Sequence, residues 1–210
     1  MIRTLKTLLG IFLFLGMAAS AQEGKSGEVA VVPDDTTKDP GLKAGDLAPS
    51  WALMVGPGKF EFLKTWTEEK GKRLKKPMTQ PDRHVVVLSF FATWCKPCMK
   101  ELPHLQNLYD KYKDDKIKFF LIDITEATRT VKGLENVPKA GPFLEKKGIS
   151  MTILNDNRGV AKKRYGAKTL PRLYVIDKYR IIRLAKKGFD EGEDFEGELT
   201  AVIDELLAEE

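Results

Sequence analysis

The chain has 210 residues, of which 42% are hydrophobic, 31% charged and 9% aromatic, with a formal net charge of +5. This length is enough for one domain of ordinary size with a substantial core, and the near balance of charge singles out no charged partner such as nucleic acid. The chain has 2 cysteines, Cys95 and Cys98, so a lipid-modified N-terminal cysteine is excluded.

Arg3 and Lys6 precede an apolar run from Leu8 to Ala19, and Ala19-Ser20-Ala21 fits a signal-peptidase site. Residues 1–21 are therefore expected to be a signal peptide, cleaved after Ala21, leaving a soluble protein. Its loss lowers the net charge from +5 to about +3. The alternative is an uncleaved anchor, although the uncharged stretch of about 16 residues is slightly under the roughly 17 that a membrane-spanning helix needs. Residues 22–45 are rich in Gly, Asp, Pro, Thr and Lys without hydrophobic period. They read as a flexible linker, with one folded domain over 46–210. The cationic cluster Lys70, Lys72, Arg73, Lys75 and Lys76 lacks aromatic interleaving and reads as a solvated loop.

His84 to Phe91 is a nearly continuous apolar run, as in a central strand covered on both faces. Met99, Leu102, Leu105, Leu108 and Tyr112 then recur at helical spacing, which predicts an amphipathic helix with Cys95 at its N-terminus. A second apolar run, Ile117 to Ile124, completes a strand-helix-strand unit whose strands are parallel because the crossover is a helix. Strands over Arg172–Asp177 and Ile181–Lys186 are separated by three residues, which predicts an antiparallel hairpin. The chain ends in a helix with Phe195, Leu199, Val202, Ile203, Leu206 and Leu207 on one face and acids crowding its start, where they favour the helix dipole.

Trp94-Cys95-Lys96-Pro97-Cys98 carries the chemistry. Two intervening residues let the cysteines close a disulfide within one turn, and a helix N-terminus lowers a cysteine pKa to roughly 3.5–7.5 by its free amides and dipole. Cys95 is the expected nucleophile, assisted by Lys96 to the extent that an exposed ammonium escapes screening. Pro97 suits the first turn, where no amide is missed. Cys98 is the expected resolving residue, attacking the mixed disulfide formed on Cys95. The alternatives are an inert disulfide and half of a zinc or copper site. His84 lies before the strand, and His104 points well off the Cys98 face of the helix, so no metal site is expected.

Phe91-Ala92-Thr93-Trp94-Cys95-Lys96-Pro97-Cys98 with Glu101-Leu102-Pro103, Gly45-Asp46-Leu47-Ala48-Pro49, and Tyr165-Gly166 through Leu170-Pro171 to Asp177 resemble the TlpA/ResA-like branch of the thioredoxin superfamily. That resemblance spans roughly residues 44–208. It implies an α/β, thioredoxin-like fold: a central mixed β-sheet flanked by helices, with an N-terminal β extension and a helical insertion over Thr125–Thr152. It further implies a cis bond from Leu170 to Pro171, with Pro171 against the cysteine pair and the Leu170 backbone free for an incoming polypeptide; the alternative is a trans proline opening an edge strand. Pro103 resembles the proline that kinks the active-site helix. Glu101 can share one side of the helix with Cys98, and in related reductants an acid here moves the proton of the buried cysteine; the alternative is a surface glutamate. Ser89 departs from thioredoxin, which has a buried aspartate at that place. Trp94 is expected beside the disulfide, with ordinary core packing as the alternative. Arg172 departs from the small hydroxyl residue usual after the cis proline and suggests a positive rim by the site.

The implied function is an exported thiol-disulfide oxidoreductase of the bacterial periplasm or the outer face of the cytoplasmic membrane. It would be a monomer without cofactor beyond its redox-active disulfide, fed by a membrane thiol electron donor, and would reduce exported protein disulfides, apocytochrome c among them. The second reading is a thiol oxidant or disulfide isomerase. A metal-binding module and a peroxidase stand further back, the latter because no peroxidase motif precedes Cys95.

Overall fold

The computed structural model describes residues 41–67 and 83–209. The signal-like segment, most of the linker and the cationic cluster at 70–76 lie outside the described residues.

The seven consecutive apolar or small residues of β3 (Val85–Phe91) are all buried, as a strand covered on both faces requires. β4 (Ile117–Asp123) pairs with it in parallel, Val85 opposite Ile117 through Phe91 opposite Asp123. Between them runs α2 (Lys96–Lys111), which buries Cys98, Glu101, Leu102, Leu105 and Leu108 along one stripe. β5 (Thr152–Asn155) continues the parallel set beside β4, and β6 (Arg172–Ile176) and β7 (Ile182–Lys187) extend the other side antiparallel. β1 (Ala52–Gly56) and β2 (Lys59–Phe62) form a hairpin on the β5 edge, giving the order β2-β1-β5-β4-β3-β6-β7. This is the expected thioredoxin-like mixed sheet with an N-terminal β extension. The four-residue α1 (Leu63–Trp66) follows β2.

The crossover from β4 to β5 holds a 3-10 turn over Glu126–Thr128 and the short α3 (Ala140–Glu145); most of the expected helical insertion is turn and irregular chain. Gly133, at φ +90°, and Pro138 interrupt the stretch Thr130–Pro138, so a longer helix does not run through it. The domain also starts earlier than expected. Gly45 and Ala48 amides bond the Ile182 and Arg180 carbonyls, and the Leu42 amide reaches Tyr165, so residues 41–45 belong to the fold. Glycine is needed at Gly166, whose φ is +62° and where a Cβ would stand 2.9 Å from the Gly41 Cα.

α5 (Phe195–Ala208) lies beside α2, joined by Tyr112 Oη donating to Asp204 at 2.6 Å and by the Glu196 carboxylate, which the Asn107 amide reaches at 3.0 Å. Asp194 caps α5: its carboxylate accepts the Gly197 amide at 3.0 Å. Asp194→Ala is expected to cost about 1 kcal/mol, a fall of roughly 2–4 °C in Tm for a domain of this size, read by calorimetry.

Candidate active site

β3 ends at Phe91, and within four residues the chain turns to begin α2. That turn is held at both sides. Thr125 Oγ1 accepts the Thr93 amide at 3.1 Å, and Thr93 Oγ1 donates to the Pro138 carbonyl at 2.9 Å. Thr125 is itself fixed by Asp123, whose buried carboxylate accepts from its amide and its hydroxyl; burial raises the pKa of Asp123 and those bonds oppose the rise. The β4–β5 crossover therefore buttresses the loop that carries the cysteines.

Cys95 is the N-cap of α2, and its Sγ accepts the Cys98 amide at 3.2 Å. The two cysteines are disulfide-bonded with Cα atoms 5.3 Å apart. Pro97 occupies the first turn. An amide aimed at Sγ, at the positive end of a 16-residue helix, stabilises a thiolate there once the bond opens. Cys98 is fully buried and Cys95 only 3% exposed, but Cys95 is the one of the two that lines the cleft outside.

That cleft, about 540 Å³, has Trp94, Pro97 and Leu170 among its walls and Lys96, Lys162 and Lys168 around it. Trp94 is 36% exposed, its indole N–H held by Thr128 Oγ1 at 2.9 Å, so it forms part of the cleft wall and is not packed in the core. The Leu170–Pro171 bond is cis. Leu170 lines the cleft and its backbone N–H and C=O have no partner among the described residues, whereas Pro171 is buried and its carbonyl accepts the Gly188 amide at 3.0 Å.

Behind the disulfide, one turn along α2, Glu101 is completely buried. Its Oε2 accepts the Ser89 hydroxyl at 2.7 Å and its Oε1 has no partner. Burial pushes its pKa from 4.5 up to about 8, against smaller opposing effects of the Ser89 hydroxyl and the Lys186 charge. The sheet register explains that pairing: Ser89, Leu173 and Lys186 sit side by side on β3, β6 and β7. Side chains at such cross-strand positions share a face, here the one under α2. The surface-glutamate alternative is thus incorrect, and the position vacated by thioredoxin's aspartate supplies the serine that binds the acid.

Arg172 forms no positive rim at the cysteines. It pairs with Phe90, one residue beyond Ser89, so it points to the opposite face of the sheet. There it is buried, donating from Nε to Tyr174 Oη at 3.1 Å, with Gly41 against its guanidinium. The positive charge beside the site comes from Lys96 together with Lys162 and Lys168, two residues that the sequence reading left unassigned. Lys162 lies on α4 (Val160–Arg164), whose start is held by Asp156 accepting the Val160 and Lys162 amides at 2.8 Å. A five-residue helix carries too short a period to be visible in sequence. Thr93, Thr125 and Thr128 were also missed, although their place past the carboxyl ends of β3 and β4, where open α/β sheets put their sites, is a usable signal. Pro103 lies inside α2. His104 turns to α5, its Nδ1 at 2.7 Å from Glu196. Among the described residues no group of three or more His, Cys, Asp or Glu gathers where it would hold a metal ion.

A disulfide capping the helix after the central strand, with a cis Leu170–Pro171 bond whose Leu170 shares the cleft with Cys95, defines the thioredoxin-fold thiol-disulfide oxidoreductases. A family model described as the AhpC/TSA family matches residues 45–185. Among curated proteins, the thiol-disulfide oxidoreductase ResA of Bacillus thuringiensis subsp. konkukian is 31% identical over 142 residues, 68% of each chain. The thioredoxin-like protein YneN of Bacillus subtilis is 27% identical over 146 residues, 70% of this chain and 72% of that one. Among solved structures, a candidate thiol:disulfide interchange protein DsbE of Chlorobium tepidum has a TM-score of 0.53 at 26% identity, over 77% of this chain and 99% of that one. The chain belongs to the AhpC/TSA family and, within it, to the ResA-like branch of thiol-disulfide oxidoreductases.

Proposed function

We propose that the protein is an exported reductase that passes two electrons from a membrane dithiol donor to disulfides of exported proteins, apocytochrome c among them, using no cofactor but its own disulfide. The observation that carries this reading is the buried, mostly protonated Glu101 one turn behind Cys98, with Cys95 lining the cleft. Export rests on the basic, apolar and small-residue order of residues 1–21. No helix of the described residues is long and apolar enough to cross a membrane.

In the recharging half, a donor thiolate attacks Cys95 Sγ. The Cys95–Cys98 bond breaks, and Cys98 leaves as a thiolate that takes the Glu101 proton. With a pKa of about 8, Glu101 is roughly nine-tenths protonated at pH 7 and so is ready to give it. The second donor thiolate then displaces Cys95, whose thiolate is held by the Cys98 amide. In the productive half, that thiolate attacks a substrate disulfide and releases one substrate thiolate. Cys98 returns its proton to Glu101 and attacks Cys95 Sγ; the second substrate thiolate leaves, and the disulfide closes again. The unpartnered Leu170 backbone offers an extended segment its hydrogen bonds during the exchange.

A second reading, oxidation or isomerisation, is favoured by the same amide cap, because a stabilised thiolate makes the disulfide a stronger oxidant. Redox titration of the purified protein against a thiol buffer separates the two. The reductase reading expects a potential below about −220 mV, and a value above about −180 mV favours oxidation or isomerisation instead.

A further inference from the structure

The cations around the active site differ from several others of the domain in having no acidic partner among the described residues. Lys100 is paired with Glu191, Lys186 with Glu193 and Glu198, Arg129 with Glu126, and Arg183 with Glu205 and Glu209. Lys96, Lys162 and Lys168 have no ion pair among the described residues, and all three stand around the cleft onto which Cys95 opens. No acid lines that cleft. Asp156, three residues before Gly159, the N-cap of α4, spends both carboxylate oxygens on the Val160 and Lys162 amides. On the far side of Lys96 and Pro97 the surface is different: a neighbouring hollow is lined by Lys100 together with Asp190 and Glu191. Of the two hollows that meet at Lys96 and Pro97, the one free of acid is therefore the one that Cys95 and Leu170 line.

We propose that this cleft selects protein segments bearing Asp or Glu close to the cysteine that Cys95 attacks. The proposal rests on the reading of Cys95 as the sulfur that meets substrate, and it adds the chemistry by which substrates are chosen. Three ammonium groups of one sign raise the local concentration of an acidic segment and repel a basic one, which changes encounter rate and specificity more than the chemical step. Trp94, Pro97 and Leu170 supply apolar contact that carries no charge preference. The electron balance is that of the exchange above: the substrate S–S bond breaks, the Cys95–Cys98 bond forms, and two electrons pass to the substrate.

The test uses synthetic peptide disulfides of one length with Asp, Ser or Arg flanking the cystine, and the purified protein with its disulfide reduced. At low salt, kcat/KM for the Asp peptide is expected to exceed that for the Arg peptide about tenfold, and the gap to close as salt shortens the Debye length from ~14 Å at about 50 mM to a few ångströms near 1 M. In Lys162→Glu/Lys168→Glu the order reverses. Lys162→Gln/Lys168→Gln, the milder change, brings the ratio towards one. Equal rates in the unmodified protein at low salt, or the same preference in both variants, overturn the proposal. Anisotropy binding of the same peptides with alkylated cysteines reads the charge ranking without turnover. Ranked affinities support the proposal even if no peptide is reduced, an outcome that would instead end the reductase reading; unranked affinities overturn it.

Discussion

Cys98→Ser is expected to leave the protein covalently trapped on its substrate, while Cys95→Ser forms no adduct at all. The asymmetry follows from where each sulfur sits. Cys95 caps α2 and lines the cleft, so an incoming disulfide reaches it; Cys98 is fully buried behind it and is reached only from within. Sγ of Cys95 also receives the Cys98 amide, so the thiolate is held at the residue that must attack first. With serine at 98, the mixed disulfide on Cys95 has no resolving thiol, and steady-state turnover falls on the order of 10³-fold or more, as when a covalent catalyst loses a required group. Intact mass spectrometry after incubation with a peptide disulfide reads the result directly. An adduct of equal yield on Cys95→Ser would reverse the assigned roles.

Much of this arrangement is legible in the residues, and the parts that are not fail for identifiable reasons. β3 is readable because all seven of its residues are buried, which forces an unbroken apolar run. α2 is readable because sixteen residues hold several turns of one stripe. The cysteine pair follows from those two, since the motif lies where the strand hands over to the helix. By contrast, β1, β2 and β5 are four or five residues each, with half-exposed faces that give neither a continuous run nor a long alternation. Glu101 and Arg172 show what register adds. As letters, one is a glutamate on a helix and the other an arginine after a proline, and each allows a surface reading. A one-residue step along β6, from Leu173 to Arg172, changes the face of the sheet and takes the guanidinium away from the cysteines, and Ser89 opposite Leu173 brings a hydroxyl under Glu101. Lys162 and Lys168 are separated from the motif by over sixty residues. Only the path of the chain after β5 puts them beside Lys96.

Glu101→Gln is expected to stabilise the protein and to damage its turnover, both in a pH-dependent way. The stability sign follows from linkage. Glu101 has its folded pKa raised from 4.5 to about 8, so between those values the folded state keeps a proton that the unfolded state has released. Its favourable contribution is complete below pH 4.5 and is lost progressively as pH rises to about 8. By pH 7.5 the loss is on the order of 4 kcal/mol. A glutamine does not titrate, so its variant escapes that decline, and urea denaturation across this range is expected to show a gap in the variant's favour that widens with pH. Turnover moves the other way. The amide can neither protonate the Cys98 thiolate during recharging nor take the Cys98 proton before resolution, and loss of a positioned acid-base group costs about 10²-fold or more. Ser89→Ala removes the hydroxyl that favours the ionised carboxylate, and so is expected to push the inflection of the wild-type pH–rate profile above 8 while leaving a profile to measure. The two readouts cannot both be met by a glutamate that merely fills space: a stabilised glutamine variant whose pH–rate profile keeps the wild-type inflection would strip Glu101 of any part in moving the proton.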